Sequence, residues 1–262
     1  MTDDPSFFVG RHVVVTGGGR GIGRAIATAF GERGATVHVV SLSATCRDVA
    51  EGIIAAGGRA RAYVGSVTDE DFCKSTLEAV AEEGDGPDVL INAAATIGEH
   101  GPFLQMSMEA FAATLEVNLL GTCHFMRWAL PTMINRCFGR IVNFAGGGAA
   151  YAYPNFTAYG ASKVAVVRLT ETVAAEISVP GVTVNVIAPG AVETDMLAQV
   201  RAAGGEVRTV TQVEEPVRLV LFLAGPDSGH ITGRFLHVRD RYDYPQYFED
   251  RDMFTLRRVE DR

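Results

Sequence analysis

The stretch that most constrains the fold is a glycine-rich loop at residues 16–23, Thr-Gly-Gly-Gly-Arg-Gly-Ile-Gly. The apolar run 12–15 before it is suited to a buried strand, and residues 25–30 after it follow a helix-like apolar pattern. In this context glycines let the backbone turn tightly and approach a pyrophosphate. The amino end of the helix then offers free N–H groups and a partial positive charge to that anion. The stretch therefore predicts a dinucleotide-binding loop.

Strand and helix patterns alternate along the chain. Strands are predicted at 12–16, 36–40, 60–64, 89–91, 140–144, 182–187 and 235–238, and helices at 21–33, 45–56, 69–83, 107–134, 155–178 and 214–224. Apolar strands separated by helices imply a parallel sheet covered on both faces, and right-handed crossovers make it doubly wound. The expected fold is a single doubly wound, Rossmann-like α/β domain with a seven-stranded parallel sheet over residues 1–238.

Residues 239–262 form a different kind of segment. They carry both charge signs and several aromatic residues, whereas a disordered tail is poor in aromatics. The pattern predicts an ordered C-terminal extension that docks on the body of the protein or on another subunit.

Composition and charge limit the partners. The 262 residues, 47% of them hydrophobic, suffice for one domain with a large core. The net charge of −8 argues against nucleic acid or an anionic membrane, which leaves a small-molecule substrate. No apolar run reaches the ~18 residues of a membrane span, and the acidic amino terminus is unlike a secretion signal. Four cysteines without a Cys-x-x-Cys pair predict reduced thiols, no metal site and a cytoplasmic protein.

The end of the second strand bears on the identity of the nucleotide. An Asp or Glu at that place accepts hydrogen bonds from the adenosine ribose and repels a 2′-phosphate. Here Ser41 stands in its place, and Arg20 in the glycine loop, with Arg47 as a second candidate, offers positive charge. The pattern favours NADP as the cofactor, with NAD as the alternative.

Tyr159 and Lys163 are the strongest chemical signal in the sequence. They are four residues apart on a predicted helix and therefore share a face. A tyrosine, with a reference pKa near ~10, is a poor acid–base catalyst at neutral pH unless a neighbouring ammonium lowers its pKa. Such a phenol gives a proton to a carbonyl oxygen, or takes one from an alcohol, as hydride moves.

These motifs together resemble the short-chain dehydrogenase/reductase family over residues 10 to about 238. The glycine loop matches the family's Thr-Gly-x-x-x-Gly-x-Gly, and residues 159–163 match its Tyr-x-x-x-Lys. The resemblance implies an NAD(P)-dependent oxidoreductase acting on CH–OH and C=O groups. Tyr159 would be the general acid/base, and Lys163 would hold the nicotinamide ribose and lower the pKa of Tyr159. Asn118 would hold a water that links the lysine to solvent, with a structural hydrogen bond as the alternative role.

The resemblance and the residue types also imply which residues contact the cofactor. These are Gly17, Gly19, Arg20, Gly21, Ile22, Gly23, Ser41, Ser66, Val67, Asn92, Ala93, Ala94, Tyr159, Lys163, Pro189, Gly190, Val192 and Thr194. The family pairs its subunits through two long helices, here 107–134 and 155–178, which implies a homo-tetramer or dimer. Phe125, Val166 and Leu169 are expected on the exposed faces of these helices, where a partner would cover them.

Gly146 is the main departure from the family's pattern. The family's catalytic serine, which positions the substrate oxygen, falls at this position, 13 residues before Tyr159. The glycine predicts open space there, and Tyr151, Tyr153, Asn155 and Thr157 are candidates for the missing substrate contact. Without the serine two alternatives stay open. One is a non-redox enzyme on the same scaffold, such as a dehydratase, epimerase or lyase, and the other is a nucleotide-binding protein without turnover.

Overall fold

The computed structural model describes residues 5–205, 207, 210–250 and 253–256. The strands are β1 (His12–Thr16), β2 (Thr36–Ser41), β3 (Arg59–Val64), β4 (Val89–Asn92), β5 (Gly139–Phe144), β6 (Val182–Ala188), β7 (Ala191–Val192), β8 (Val210–Thr211) and β9 (Phe235–His237). The helices are α1 (Gly21–Glu32), α2 (Thr45–Ala55), α3 (Glu70–Gly84), α4 (Met108–Leu115), α5 (Gly121–Asn135), α6 (Gly147–Ala150), α7 (Thr157–Glu176), α8 (Asp195–Ala202) and α9 (Glu214–Ala224). A π-helical turn, Glu116–Leu120, joins α4 to α5.

Seven strands form one parallel sheet in the order β3-β2-β1-β4-β5-β6-β9. The chain runs outward from β1 to β3 and then crosses back to place β4 on the other side of β1. This reversal leaves a crevice between the carboxyl ends of β1 and β4, where ligands bind in open α/β sheets. The predicted seven-stranded, doubly wound sheet is confirmed.

The core lies on both faces of the sheet because alternate strand residues point to opposite sides. Val13 and Val15 of β1 join the cluster that contains Phe30 of α1. Val14, between them, joins the cluster that contains Phe125 of α5. All five side chains are fully buried, so both faces are covered by helices as predicted.

The predicted exposure of apolar residues on the two long helices is wrong for two of the three residues. Phe125 and Val166 are fully buried in the chain's own core. Leu169 is partly buried and packs against the cluster around Phe125. Phe125 and Leu169 pack in the cluster that contains Val14, and Val166 packs in a separate cluster with Val186 of β6, so these side chains give no argument for a subunit interface.

The described part of the C-terminal segment packs on the body of the protein. Tyr242, Phe248 and Phe254 lie against the core cluster on the α1 side of the sheet. The backbone N–H of Phe235 in the edge strand β9 donates to the carbonyl oxygen of Phe254 at 2.6 Å. The aromatic residues thus remove apolar surface from water, as their composition predicts. The domain boundary at residue 238 stays a prediction.

Several short elements were not predicted, namely α6, α8 and the β7–β8 pair. The sequence of α6 is Gly-Gly-Ala-Ala, which carries no apolar periodicity. The strands β7 and β8 have two residues each and are too short to show alternation. Among the described residues, none of the helices has both the length and the hydrophobicity of a membrane span. All four cysteines are free thiols.

A chain of buried polar side chains crosses the amino-terminal half of the sheet. The Nδ1 atom of His12 lies 3.0 Å from Nε2 of His38, whose Nδ1 lies 3.2 Å from the Tyr63 hydroxyl. A Glu83 carboxylate oxygen lies within 4.8 Å of ligand atoms of both histidines, but Arg61 engages that carboxylate at 2.7 Å. Burial, with the charges of His12 and Arg61, lowers the pKa of His38 to about 3.

This buried histidine makes stability depend on pH. The pKa of His38 is about 3 in the folded protein and about 6.5 in the unfolded chain, so the unfolded chain binds more protons between these values. We expect the free energy of unfolding to fall by roughly 2 kcal/mol from this group between pH 7 and pH 5. His38→Gln should remove most of that loss in chemical denaturation. His230→Gln, at an exposed histidine, is the matched control, and equal pH dependence in both variants would contradict the assignment.

Candidate active site

A cavity of about 1800 Å³ opens at the carboxyl edge of the sheet. Loops that follow β1 to β6 line it, together with α7 and the start of α8. Most of the predicted site residues meet there, namely Gly17, Gly19, Arg20, Gly21, Ile22, Gly23, Ser41, Ser66, Val67, Ala93, Ala94, Gly146, Tyr151, Tyr153, Asn155, Tyr159, Lys163, Pro189, Gly190, Val192 and Thr194. Asn92 and Asn118 do not line the cavity.

The glycine loop fits closely against the neighbouring strand end. Gly17 has a φ of +66°, and a Cβ there would lie 2.7 Å from the backbone nitrogen of Ala94. A Cβ on Gly23 would lie 2.3 Å from the carbonyl oxygen of Gly17, so the loop folds back on its own helix. Arg20 is the N-cap of α1 and makes no side-chain cap, which leaves the first amides of the helix for an anion.

Hydroxyl groups collect beside this loop, at the end of β2. The Ser43 hydroxyl lies 2.9 Å from that of Thr45, and the Ser41 hydroxyl lies 3.4 Å from Thr45. A Cβ on Gly19 would lie 2.3 Å from the Thr45 hydroxyl, so this cluster of hydroxyls lies against the glycine loop. Sequence reasoning found Ser41 but missed Ser43 and Thr45. Three hydroxyl residues within five positions after a strand were the signal that could have found them.

Of the two predicted cations, Arg20 lines the cavity and Arg47 does not. Arg20 also forms an exposed ion pair with Asp195 at 3.7 Å, which links the glycine loop to α8. Thr194 caps α8 by accepting a hydrogen bond from the backbone of Leu197. The start of α8 therefore lies directly beside the glycine loop.

Tyr159 and Lys163 lie together at the centre of the cavity. Lys163 is 2% exposed, and its Nζ donates to the carbonyl oxygen of Phe144 at 2.9 Å. The same Nζ lies 5.7 Å from the centre of the Tyr159 ring. Burial lowers the pKa of Lys163 to about 8. Burial, with a contribution from Tyr153, raises the pKa of Tyr159 to about 12. The expected lowering by the lysine is therefore reversed, because desolvation of the phenolate dominates here.

Asn118 lies behind the cavity lining and bonds to the loop that carries Thr96. It sits in the π-helical turn, where its Oδ1 accepts from the backbone of Thr96 at 2.8 Å. Its Nδ2 donates to the carbonyl oxygen of Thr96 and to the Ser162 hydroxyl, each at 2.9 Å. Ser162 in turn donates to the carbonyl oxygen of Tyr159 at 2.7 Å. These contacts support the structural alternative, in which Asn118 fixes the Thr96 loop against the helix that carries Tyr159.

Asn92 also lies behind the cavity. Its Nδ2 donates to Oδ1 of Asn143 at 2.9 Å, and Asn143 donates to the Thr170 hydroxyl at 2.9 Å. The Asn92 side chain is 3% exposed and joins β4 to β5. The sequence placed it among the cofactor contacts, but its side chain bonds within the sheet.

The Tyr159 hydroxyl occupies the space that was predicted beside Gly146. A Cβ on Gly146 would lie 2.4 Å from the Tyr159 hydroxyl oxygen and 3.3 Å from the ring carbon that bears it. The glycine therefore lets the phenol approach the backbone of residue 146. The prediction of open space is wrong at this position.

Three of the candidates for the missing substrate contact differ in environment. Tyr151 is 66% exposed, and Asn155 is an exposed turn residue with a φ of +68°. Tyr153 is half-buried and packs with Tyr159 on the apolar cluster of Ile97, Phe156 and Val200. Sequence reasoning did not find this cluster, because its members come from three separate loops and helices.

Comparisons with known proteins agree with this geometry. A family model described as short chain dehydrogenase matches residues 11–204. The 3-oxoacyl-acyl-carrier-protein reductase FabG of Haemophilus influenzae is 34% identical over 237 residues, which cover 87% of this chain and 96% of that protein. NAD⁺-bound xylitol dehydrogenase is similar with a TM-score of 0.80 at 29% identity, covering 88% of this chain and 98% of that one. An actinorhodin polyketide ketoreductase solved with NADPH has a TM-score of 0.82 at 28% identity, with 87% and 95% covered.

The chain belongs to the short-chain dehydrogenase family. It is an oxidoreductase of the NAD(P)-dependent kind that acts on CH–OH and C=O groups. This membership favours redox chemistry over the two alternatives that Gly146 left open.

The contact at Gly146 predicts the effect of a side chain there. Gly146→Ala should displace the Tyr159 hydroxyl and lower kcat/KM by roughly 10–100-fold, because about 1 Å of misplacement has that effect on catalysis. Gly147→Ala is the matched control, since a Cβ at residue 147 meets no atom within 4 Å. Steady-state kinetics of both variants check this, and equal rates for Gly146→Ala and the wild type would contradict the contact.

Proposed function

We propose that the protein is an NADPH-dependent carbonyl reductase, with the reverse alcohol oxidation open to it, in which Tyr159 moves the proton. The observation that carries the proposal is that Tyr159 and the buried Lys163 line the same cavity as the glycine loop, whose helix has no side-chain cap. The related proteins solved with NAD⁺ and with NADPH support a nicotinamide cofactor.

The residues present fit such a cofactor. The glycine loop, where a Cβ on Gly17 or Gly19 would collide with protein atoms, and the free amides of α1 would hold the pyrophosphate. The hydroxyls of Ser41, Ser43 and Thr45, with Arg20, would hold a 2′-phosphate, because charge-assisted bonds to an arginine suit that group. Lys163 would contact the nicotinamide ribose. When bound, the cofactor supplies or accepts the hydride.

The electrostatics of the site favour the direction of reduction at neutral pH. With a pKa of about 12, Tyr159 keeps its proton and can give it to a carbonyl oxygen. Lys163, with a pKa of about 8, still carries charge near neutrality and can stabilise the resulting phenolate. Its bond to the carbonyl of Phe144 fixes where that charge lies.

The lining near Tyr159 indicates the kind of substrate. Ile97, Met196 and Val200 belong to an apolar cluster with Tyr159 and also line the cavity. We infer a small-molecule carbonyl compound whose body is apolar, since burying it against this cluster removes apolar surface from water.

We also propose that the chain forms a homo-oligomer, a tetramer or dimer, and works in the cytoplasm. Leu104 is 95% exposed, and Met108 and Leu120 nearby in sequence are about half exposed, so this part of the chain offers apolar surface to a partner. The four free cysteines suit a reducing compartment. Light scattering at micromolar concentration should show a mass above that of one chain. A monomer would contradict the proposal.

The hydroxyls of Ser41, Ser43 and Thr45, together with Arg20, predict which nucleotide binds more tightly. NADPH should bind at least about tenfold more tightly than NADH, because the 2′-phosphate gains charge-assisted hydrogen bonds. Arg20→Ala should remove most of this difference in fluorescence titrations while leaving NADH affinity nearly unchanged. Arg47→Ala is the matched control, since Arg47 does not line the cavity. Tighter binding of NADH by the wild type would contradict NADP as the cofactor.

Removing the transferable proton tests the assigned chemistry. Tyr159→Phe should lower kcat by roughly 10²–10⁴-fold or more while cofactor affinity stays close to that of the wild type. Lys163→Ala should weaken cofactor binding as well as turnover, because it would touch both ribose and phenol. Turnover by Tyr159→Phe at the wild-type rate would exclude Tyr159 as the acid/base.

A further inference from the structure

Tyr153 is a second phenol on the substrate side of the cavity. It lines the cavity, and its ring packs with Tyr159 on the cluster of Ile97, Phe156 and Val200. The two phenols are near enough for Tyr153 to contribute to the raised pKa of Tyr159. The proposed chemistry gives Tyr159 a defined role and leaves Tyr153 without one.

A tight turn fixes the backbone of Tyr153. The backbone N–H of Phe156 donates to the carbonyl oxygen of Tyr153 at 3.1 Å, which closes a four-residue turn. Pro154 occupies its second position, and Asn155, with a φ of +68°, occupies its third. Proline followed by a residue with positive φ is the composition of a type II turn. The turn leads directly into α7, so it fixes the position of Tyr153 relative to the helix that carries Tyr159.

The ring of Tyr153 is held as firmly as its backbone. It stacks on Phe156 with ring centres 4.6 Å apart and an interplanar angle of 19°. Phe156 is 1% exposed and stacks on His100 as well. The backbone N–H of Gly101 donates to the carbonyl oxygen of Asn155 at 2.8 Å, which ties the turn to the loop that carries His100. A group fixed in this way loses little freedom when it binds a substrate.

A carbonyl oxygen that takes a proton needs more than one hydrogen-bond donor. Negative charge develops on this oxygen during reduction, and each well-placed donor stabilises it. Tyr159 is one donor, and Gly146 has no side chain to offer another. Burial raises the pKa of Tyr153, so its hydroxyl stays protonated and able to donate at neutral pH.

We propose that Tyr153 donates a hydrogen bond to the substrate's carbonyl oxygen and so acts as a second catalytic tyrosine. The inference rests on the proposed carbonyl reduction. Tyr159 gives its proton to the oxygen while the carbonyl carbon takes the hydride that NADPH would supply, so that C=O becomes CH–OH and NADP⁺ is left. Tyr153 keeps its own proton throughout. Tyr153 therefore stabilises charge and takes no part in proton transfer.

The other polar candidates are less suited to this role. Tyr151 is 66% exposed and lies outside the apolar cluster that Tyr153 shares with Tyr159. Asn155 is exposed, and its backbone is committed to the turn. Water competes for hydrogen bonds with an exposed donor, so the half-buried phenol of Tyr153 is the stronger one.

Tyr153→Phe is a direct test, because it removes one oxygen and keeps the ring stack. Reduction of cyclohexanone and of acetophenone by NADPH would be followed with the wild type, Tyr153→Phe and Tyr151→Phe. We expect Tyr153→Phe to lower kcat/KM by roughly 10²–10³-fold, mostly through kcat. Its melting temperature and its Kd for NADPH should match those of the wild type. Tyr151→Phe should lose much less than Tyr153→Phe.

The split between kcat and KM gives a readout that a purely structural role would not produce. A donor to the oxygen on which charge develops acts in the transition state, so its loss lowers kcat and kcat/KM together, whereas a displaced ring would weaken substrate binding and raise KM. The KM of Tyr153→Phe should therefore stay near that of the wild type. Wild-type kcat in Tyr153→Phe, or a loss that falls on KM alone, would overturn the inference alone, and so would a larger loss in Tyr151→Phe. Failure of the wild type to reduce either ketone would overturn the proposed reduction and the inference together.

Discussion

The site depends on the close approach of two strand ends at the point where the chain reverses across the sheet. β1 and β4 are neighbours, and the loop after β1 touches the loop after β4 at Gly17 and Ala94. No side chain fits between them, so the backbone itself forms the floor of the cleft. The first amides of α1 have no side-chain cap there and are available to an anion. Every other part of the site is arranged around that floor.

Burial sets the chemistry of the two central groups. Desolvation disfavours charge on both, which raises the pKa of Tyr159 and lowers that of Lys163. Both shifts favour the neutral form of each group, but a pKa of about 8 still leaves Lys163 charged near neutrality. In the proposed reduction, proton transfer from the phenol would therefore create a phenolate beside a charged lysine. The family's spacing of Tyr and Lys predicts the contact, but only the packing around it sets the direction of the shifts.

The sequence predicts regular elements well where a pattern repeats and poorly where contacts are long-range. Buried parallel strands are continuous apolar runs, so all seven strands of the sheet were placed within a residue or two. The positions that failed depend on what lies opposite them in space. Phe125 was expected on an exposed face because periodicity does not say which face meets the sheet. Asn92 follows a strand at the cavity edge, yet its partner Asn143 comes from a strand 51 residues later. Such pairings have no local signal.

The glycines at 146–148 show that the absence of a serine hydroxyl at residue 146 affects packing as well as chemistry. A Cβ on Gly148 would lie 2.9 Å from Cα of Gly160, so this segment rests directly on the backbone of α7. That contact brings the backbone of Gly146 to the Tyr159 hydroxyl, and a side chain at residue 146 would force the two apart. In the proposed reduction, the substrate oxygen would therefore be bound from a direction other than residue 146. The turn that begins at Tyr153 leads into the same helix, so the packing that excludes a serine also holds a second phenol beside the first.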